Sequence, residues 1–251
     1  MSVKKLREGK RIVGTMVRMV RNPAIVQIAY NAGLDFIMLD MEHGSYSIET
    51  VSDIAKVARS TGIGIFTRVP ELARSYVSRL MDIGIEGIMV PMISTPEEAQ
   101  QLVRWSRYTP IGNRGFGNIG AHTKFMGIGL DILTFMNRQN ESTIAIAQIE
   151  TANAIKNIDA IAAVEGIDVL LVGPNDLAIS LDVPGNTMGE KNQEAIRRVA
   201  EAAEKHNKVF AIHGNDALLD KWDSRLQMIM CSLDISILHN SFSSIVKKYQ
   251  K

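Results

Sequence analysis

Short apolar runs alternate with longer amphipathic stretches along the whole chain. The apolar runs fall at 12–19, 36–42, 64–69, 87–92, 144–150, 169–173, 209–213 and 228–233. They are close to continuously apolar, the pattern of parallel strands covered by helices on their outer face. Helical spacing appears at about 23–32, 47–60, 72–83, 95–107, 151–163, 190–206, 216–225 and 235–249. Asn22-Pro23 and Ser94-Thr95-Pro96 read as helix starts, the second followed by Glu97 and Glu98 in the first turn. Gly33, Gly62, Gly84 and Gly166 stand where helices stop. Eight strands alternating with eight helices in 251 residues predict an α/β fold, a single-domain (β/α)8 TIM barrel over 1–251. A doubly wound open sheet is the competitor, but it rarely uses eight evenly spaced units in so short a chain.

One interval breaks the rhythm. A long insertion separates Arg107 from Ile144, before the fifth strand, and opens Thr109-Pro110-Ile111-Gly112-Asn113-Arg114-Gly115-Phe116-Gly117. Loops of that length in a compact domain are usually lids, binding segments or disordered. Its glycines allow close backbone approach to a ligand, and Arg114 offers a fork for a carboxylate or phosphate. The segment follows a helix rather than a strand, which argues against a phosphate-binding glycine motif. A helix of its own is expected near 129–139.

Composition narrows the classes. With 46% hydrophobic and 22% charged residues and a net charge of +1, nothing points to nucleic acid or membrane. Lys4, Lys5, Arg7, Lys10 and Arg11 form a basic start that reads as a solvated face or a frayed terminus. No run has the length of a membrane helix, and the N-terminus lacks a signal peptide's apolar core. The single cysteine, Cys231, excludes an internal disulfide and fits a reducing cytoplasm. Within Met228-Ile229-Met230-Cys231 it reads as a small buried hydrophobe.

The candidate chemistry lies at the strand ends, where a barrel carries its site. Ile144-Ala-Ile-Ala-Gln148-Ile149-Glu150 ends in two polar groups, and Val169-Leu-Leu-Val172 leads into Gly173-Pro174-Asn175-Asp176. Two strands of one sheet thus deliver Glu150 and Asp176 to one rim. Paired carboxylates on rigid strand ends suit a hard divalent cation with positions left for substrate. Strand two ends in Asp40-Met41-Glu42-His43-Gly44, and strand three in Thr67-Arg68-Val69-Pro70. A lone histidine is more often a satisfied structural one, but the acids around His43 and its strand-end position favour proton transfer. Arg68 either neutralises neighbouring acids or holds a substrate carboxylate or enolate oxygen. His213 and Asp234 stand evenly between supporting the site and supporting the fold. Asp82 lies near a helix C-terminus, where its charge opposes the dipole and asks for a partner.

Taken in order, Asp40-x-Glu42-His43-Gly44, Arg68-Val69-Pro70, Gly87-x-Met89-Val90-Pro91-Met92, Gly112-x-Arg114-Gly115, Gln148-Ile149-Glu150-Thr151 and Gly173-Pro174-x-Asp176-Leu177 resemble the HpcH/HpaI aldolase family. The resemblance spans about 12–180 and implies a metal-dependent (class II) pyruvate aldolase on a (β/α)8 barrel. It further implies a 2-oxo acid substrate and a homo-trimer or homo-hexamer with the last helix exchanged between neighbours. By the same resemblance Glu150 and Asp176 bind Mg, Mn or Co, and Gln148, Asn175 and Asp176 seat pyruvate. Arg68 holds the enolate oxygen, and His43, oriented by Asp40 and Asp82, moves the proton. Past residue 180 the likeness thins: His213-Gly214 and Ser232-Leu233-Asp234 depart from the family pattern, and Arg18 stands where relatives are apolar or aromatic. Arg18 and Arg114 together offer positive charge for a substrate's distal carboxylates. A condensing synthase acting on a polycarboxylate, citrate-synthase-like, and a non-catalytic barrel are the alternatives.

Overall fold

Every apolar run becomes a strand, and all eight strands join in chain order. The computed structural model describes residues 2–250. Its strands are β1 (Ile12–Val17), β2 (Phe36–Asp40), β3 (Gly64–Arg68), β4 (Gly87–Val90), β5 (Ile144–Ile149), β6 (Val169–Val172), β7 (Val209–Gly214) and β8 (Met228–Leu233). Each pairs in parallel with its neighbour, and β8 returns to β1 to close the barrel. Closure is the (β/α)8 arrangement and removes the open-sheet alternative.

The helices between strands are α2 (Ile25–Asn31), α3 (Ile48–Thr61), α4 (Arg74–Ile83) and α5 (Pro96–Ser106). After the insertion's own α6 (Ile132–Ser142) come α7 (Ala152–Lys156), α8 (Ile158–Ala162), α9 (Pro174–Ser180), α10 (Glu190–Lys205) and α11 (Asp216–Trp222). The expected helix at 151–163 is thus two short ones, and α9 is a seven-residue helix that the periodicity did not reveal. The glycines foreseen as stops, Gly33, Gly62, Gly84 and Gly166, all take positive φ, from +87 to +91 and +94°. At the start of α5, Thr95 and Glu98 close a reciprocal capping box.

Strands β1 and β2 stop short of their apolar runs, for chemical reasons. Beyond β1 the amides of Arg18, Met19 and Val20 leave the sheet and donate to the Asp234 carboxylate at 3.0, 2.9 and 2.8 Å. Beyond β2 the amides of Glu42 and His43 turn back onto Asp40 Oδ1. Side-chain acceptors outcompete the ladder in both places.

Inside the barrel the side chains of Phe36, Met38, Phe66, Met89, Ile146 and Leu171 are fully buried. The rings of Phe36 and Phe66 stack with centroids 4.9 Å apart. The basic N-terminus is not a frayed start. It forms α1 (Ser2–Arg7), whose Val3 and Leu6 close the barrel floor. Lys5 reaches Asp35 at 2.6 Å and Arg7 reaches Asp168 at 3.2 Å, so its charges are anchored.

The insertion does not close over the strand ends. Arg107 is buried and bonds Asn140 O and Thr143 O at 2.8 and 2.9 Å, with Asp168 as its carboxylate partner. His122 bridges Asp82 O and Gly117 O at 3.0 and 2.9 Å. These anchors lie where helices end and strands begin, the opposite end from the strand C-termini. The last helix, α12 (Asp234–Tyr249), buries only Asp234. Ile235, Ile237, Phe242, Ile245, Val246 and Tyr249 are exposed along it. No helix among the described residues is long and apolar enough to cross a membrane.

Candidate active site

The barrel interior alternates along each strand, so the inward register of Phe36 and Met38 continues to Asp40. By the same rule Phe66 leads to Arg68, Ile146 to Gln148, and Ala211 to His213. The topmost inward layer is therefore polar while the layers beneath are apolar. That switch is what turns a packed core into a floor for chemistry.

Asp40 is the hub on the β1–β3 side. It is fully buried and accepts from Arg68 Nε at 2.9 Å, Arg68 Nη2 at 2.7 Å and Arg18 Nε at 2.7 Å. Burial alone pushes this carboxyl up, but the two guanidiniums outweigh it and hold Asp40 below the usual carboxylate range. Arg68 Nη1 also meets Glu42 Oε2 at 2.8 Å. Glu42 is nevertheless pushed upward, chiefly by burial, with Asp40 and Asp176 adding to the rise against Arg68 and His43. His43 projects into solvent, with Nε2 3.7 Å from Glu42 Oε2.

Glu150 is the hub on the opposite side. It is buried, takes the Met92 amide on Oε1 at 2.8 Å and meets Gln148 Nε2 on its other oxygen. Met92 adopts a positive φ of 59° to aim that amide, a contact the sequence did not disclose. Burial raises the Glu150 carboxyl to about 7, with the charges of Asp176 and Glu42 contributing and Met92 opposing. Asp176 sits exposed in the first turn of α9 beside the equally exposed Asn175. Arg68 makes its ion pairs with Asp40 and Glu42, and among the described residues Glu150 and Asp176 have no salt-bridge partner.

Three observations fit a hard cation and an oxygen-rich ligand here. Gln148 Oε1 is buried without a hydrogen-bond partner. A Cβ at Gly173 would lie 2.2 Å from Glu150 Oε2 and 2.8 Å from Gln148 Nε2, so only glycine leaves the carboxyl its place. The mouth sets four carboxyls (Asp40, Glu42, Glu150, Asp176) against two guanidiniums (Arg18, Arg68), and a divalent cation cancels that excess. No three His, Cys, Asp or Glu side chains among the described residues converge as a chelating group.

His213 and Asp234 resolve differently. His213 points inward beneath the mouth, and its Nε2 donates to Ser232 O at 3.1 Å. Burial depresses its pKa and keeps the ring neutral. Asp234 is the clasp on the β1 loop described above. Cys231, expected as a small buried hydrophobe, is only half-buried and directs its thiol to Asp216 at 3.4 Å.

Two expectations fail within one chain. Asp82 lies near the C-terminal end of α4, at the far end of the barrel from His43. Its partner is Arg114, whose Nη2 is 2.6 Å away and whose guanidinium lies 4.6 Å over the Tyr108 ring. Arg114 is consequently buried beside α4 and offers nothing to a ligand at the mouth. Spacing could not reveal this, because helix reversal puts α4's end on the opposite face from the strand ends.

A closed barrel with acids and guanidiniums converging on its strand C-termini is the frame of a (β/α)8 enzyme. The model of the HpcH/HpaI aldolase/citrate lyase family matches residues 17–220. The hydroxypyruvate/pyruvate aldolase of Roseobacter denitrificans is 30% identical over 250 residues, covering 99% of this chain and 96% of that protein. The 4-hydroxy-4-methyl-2-oxoglutarate aldolase tasA of Hapsidospora irregularis is 32% identical over 230 residues, 88% of this chain and 84% of its own. The crystal structure of an HpcH/HpaI aldolase from Desulfitobacterium hafniense superposes with a TM-score of 0.94 at 34% identity, covering 99% and 96% of the two chains. The chain belongs to the HpcH/HpaI aldolase/citrate lyase family. It is an aldolase, a carbon–carbon lyase.

Proposed function

We propose that the enzyme cleaves 4-hydroxy-2-oxo acids to pyruvate and an aldehyde, with Glu150 and Asp176 holding a divalent cation of the Mg, Mn or Co type. The observation that carries this reading is the buried Glu150, held by the Met92 and Gln148 amides on the rim that also bears Asp176, with no salt-bridge partner among the described residues and its carboxyl raised to about 7. When bound, the metal supplies a Lewis acid toward the oxygens of the 2-oxo acid. Gln148, with its amide beside Glu150, and the loop at Asn175 orient the pyruvate half. As the C3–C4 bond breaks, its electron pair moves to C3 and negative charge develops on the C2 oxygen. Arg68 stabilises that charge: carboxylates take three of the five N–H donors of a guanidinium, leaving donors for substrate. His43, held at its amide by Asp40, takes the C4 hydroxyl proton as that carbon becomes a carbonyl. Protonation at C3 then releases pyruvate.

The far placement of Asp82 bears on assembly. It can join His43 only if a second copy of the chain brings it there. The exposed apolar side chains of α12 likewise support an association of several copies, a homo-trimer or homo-hexamer. The single cysteine, without a disulfide, supports a reducing, cytoplasmic setting.

Oxaloacetate decarboxylation tests the reading, because it passes through the same pyruvate enolate whatever the natural aldehyde. Activity should vanish on chelation, return with Mg, Mn or Co, and be absent in Glu150→Ala and Asp176→Ala variants of native circular dichroism. Full activity in either variant would sink the metal assignment. A folded wild type inactive with every metal would favour the condensing synthase.

A further inference from the structure

Arg18 occupies a position the chemistry above does not use. Its Nε donates to Asp40 Oδ2 at 2.7 Å, on the oxygen that Arg68 Nη2 also reaches, and its Nη2 touches the Met16 sulfur at 3.8 Å. Nη1 has no hydrogen-bond partner among the described residues, and 28% of the side chain stays exposed. Arg68, by contrast, is buried and meets carboxylates through all three of its nitrogens. The mouth therefore holds one buried guanidinium with every nitrogen already on a carboxylate and one, Arg18, whose open edge includes a nitrogen wholly without a partner among the described residues.

That open edge is held in place from two directions. Asp40 fixes the guanidinium, and Asp234 fixes the backbone by accepting three consecutive amides from Arg18, Met19 and Val20. Such rigidity around a half-buried charge is preorganisation for a ligand, since ordering a free arginine side chain on binding is otherwise unfavourable. The turn that carries His43 runs directly over it: a Cβ at Gly44 would stand 2.8 Å from Arg18 O and 3.2 Å from Arg18 Cγ.

We infer that Arg18 recognises a carboxylate borne on C4 of the substrate, making the preferred substrates 4-hydroxy-2-oxo dicarboxylates. The inference rests on the aldolase reading. The pyruvate half lies on the β5–β6 side, at Gln148, Glu150 and Asp176. His43, on the β2 loop, meets the C4 hydroxyl. A substituent on C4 then extends toward β1, where Arg18 presents its free N–H groups at a separation suited to the two oxygens of a carboxylate. Asp234 is a positioning residue for this contact.

The test compares two compounds that differ only at C4. 4-Hydroxy-2-oxoglutarate carries a carboxylate there and 4-hydroxy-2-oxopentanoate a methyl group; both release pyruvate. Wild-type kcat/KM should favour the dicarboxylate by at least about 100-fold, and Arg18→Gln should reduce that ratio at least about 30-fold. Arg18→Lys, keeping charge without the fork, should retain part of it. A wild-type ratio near one, or a ratio unchanged in a folded Arg18→Gln, overturns the inference; if that variant does not fold, the wild-type ratio decides alone. Deuterium exchange into the pyruvate methyl group by wild type separates the two levels. Exchange without C4 discrimination overturns the role of Arg18 only, whereas no exchange with any metal overturns the aldolase reading and this inference with it.

Discussion

Gly173 is where a single methyl group should report on the whole Glu150 site. Its backbone, at φ −94° and ψ 91°, is open to alanine, so any penalty in Gly173→Ala cannot be conformational. Removing a glycine at such a position stabilises by about 0.4–1 kcal/mol through the unfolded chain. Against this stands the new Cβ, 2.2 Å from Glu150 Oε2 where ordinary contact begins at 3.4 Å, so the carboxyl must yield by at least 1.2 Å (3.4 − 2.2). Glu150 cannot swing that far and keep both the Met92 amide at 2.8 Å and the Gln148 amide. An unsatisfied buried amide costs about 1–3 kcal/mol, and overpacking about as much again. Net destabilisation of about 1–5 kcal/mol is expected in urea unfolding. A misplacement of about 1 Å at a reacting centre costs on the order of 100-fold in rate. Metal-dependent oxaloacetate decarboxylation should fall by at least that factor, with weaker metal binding by titration calorimetry. A variant as stable and as active as wild type would refute the reasoning that this glycine exists to make room for Glu150.

Three further outcomes are expected. Glu150, raised from 4.5 to about 7, is protonated in both folded and unfolded chains at low pH, so metal-free protein should lose about 3 kcal/mol of stability as pH rises from 4.5 to 7. A cation competes with that proton, so its affinity should weaken about tenfold per pH unit below 7; calorimetric affinity that stays flat over that window contradicts the shift. Arg68→Met strands the fully buried Asp40 with only Arg18 and should cost about 3–5 kcal/mol in urea unfolding, whereas a change under about 1 kcal/mol would mean the pair is not the hub described. Phe242→Asp places a charge on the exposed apolar side of α12 and should reduce the assembly's mass in sedimentation velocity; an unaltered mass would exclude that face from the interface.

The barrel was legible in the sequence because its determinants are local. Continuous apolar runs can only be strands covered by helices, and Gly33, Gly62, Gly84 and Gly166 mark ends through a φ that other residues resist. The strand-end positions of Arg68, Gln148 and Glu150 were likewise readable, since a polar residue closing an apolar strand has one place to be. What the chain alone did not reveal depends on which groups meet across it. Asp40 becomes a hub only when β1 and β3 flank β2 and bring two guanidiniums to one carboxyl. Asp234 shortens β1 only because barrel closure sets β8 beside it. Arg114 and Asp82 satisfy each other at the far end because a helix returns the chain to the bottom of the sheet, whatever their spacing suggests. Periodicity decides what a segment is. Only the packed barrel decides which charges find partners, and so which one, Arg18, is left with an edge to offer.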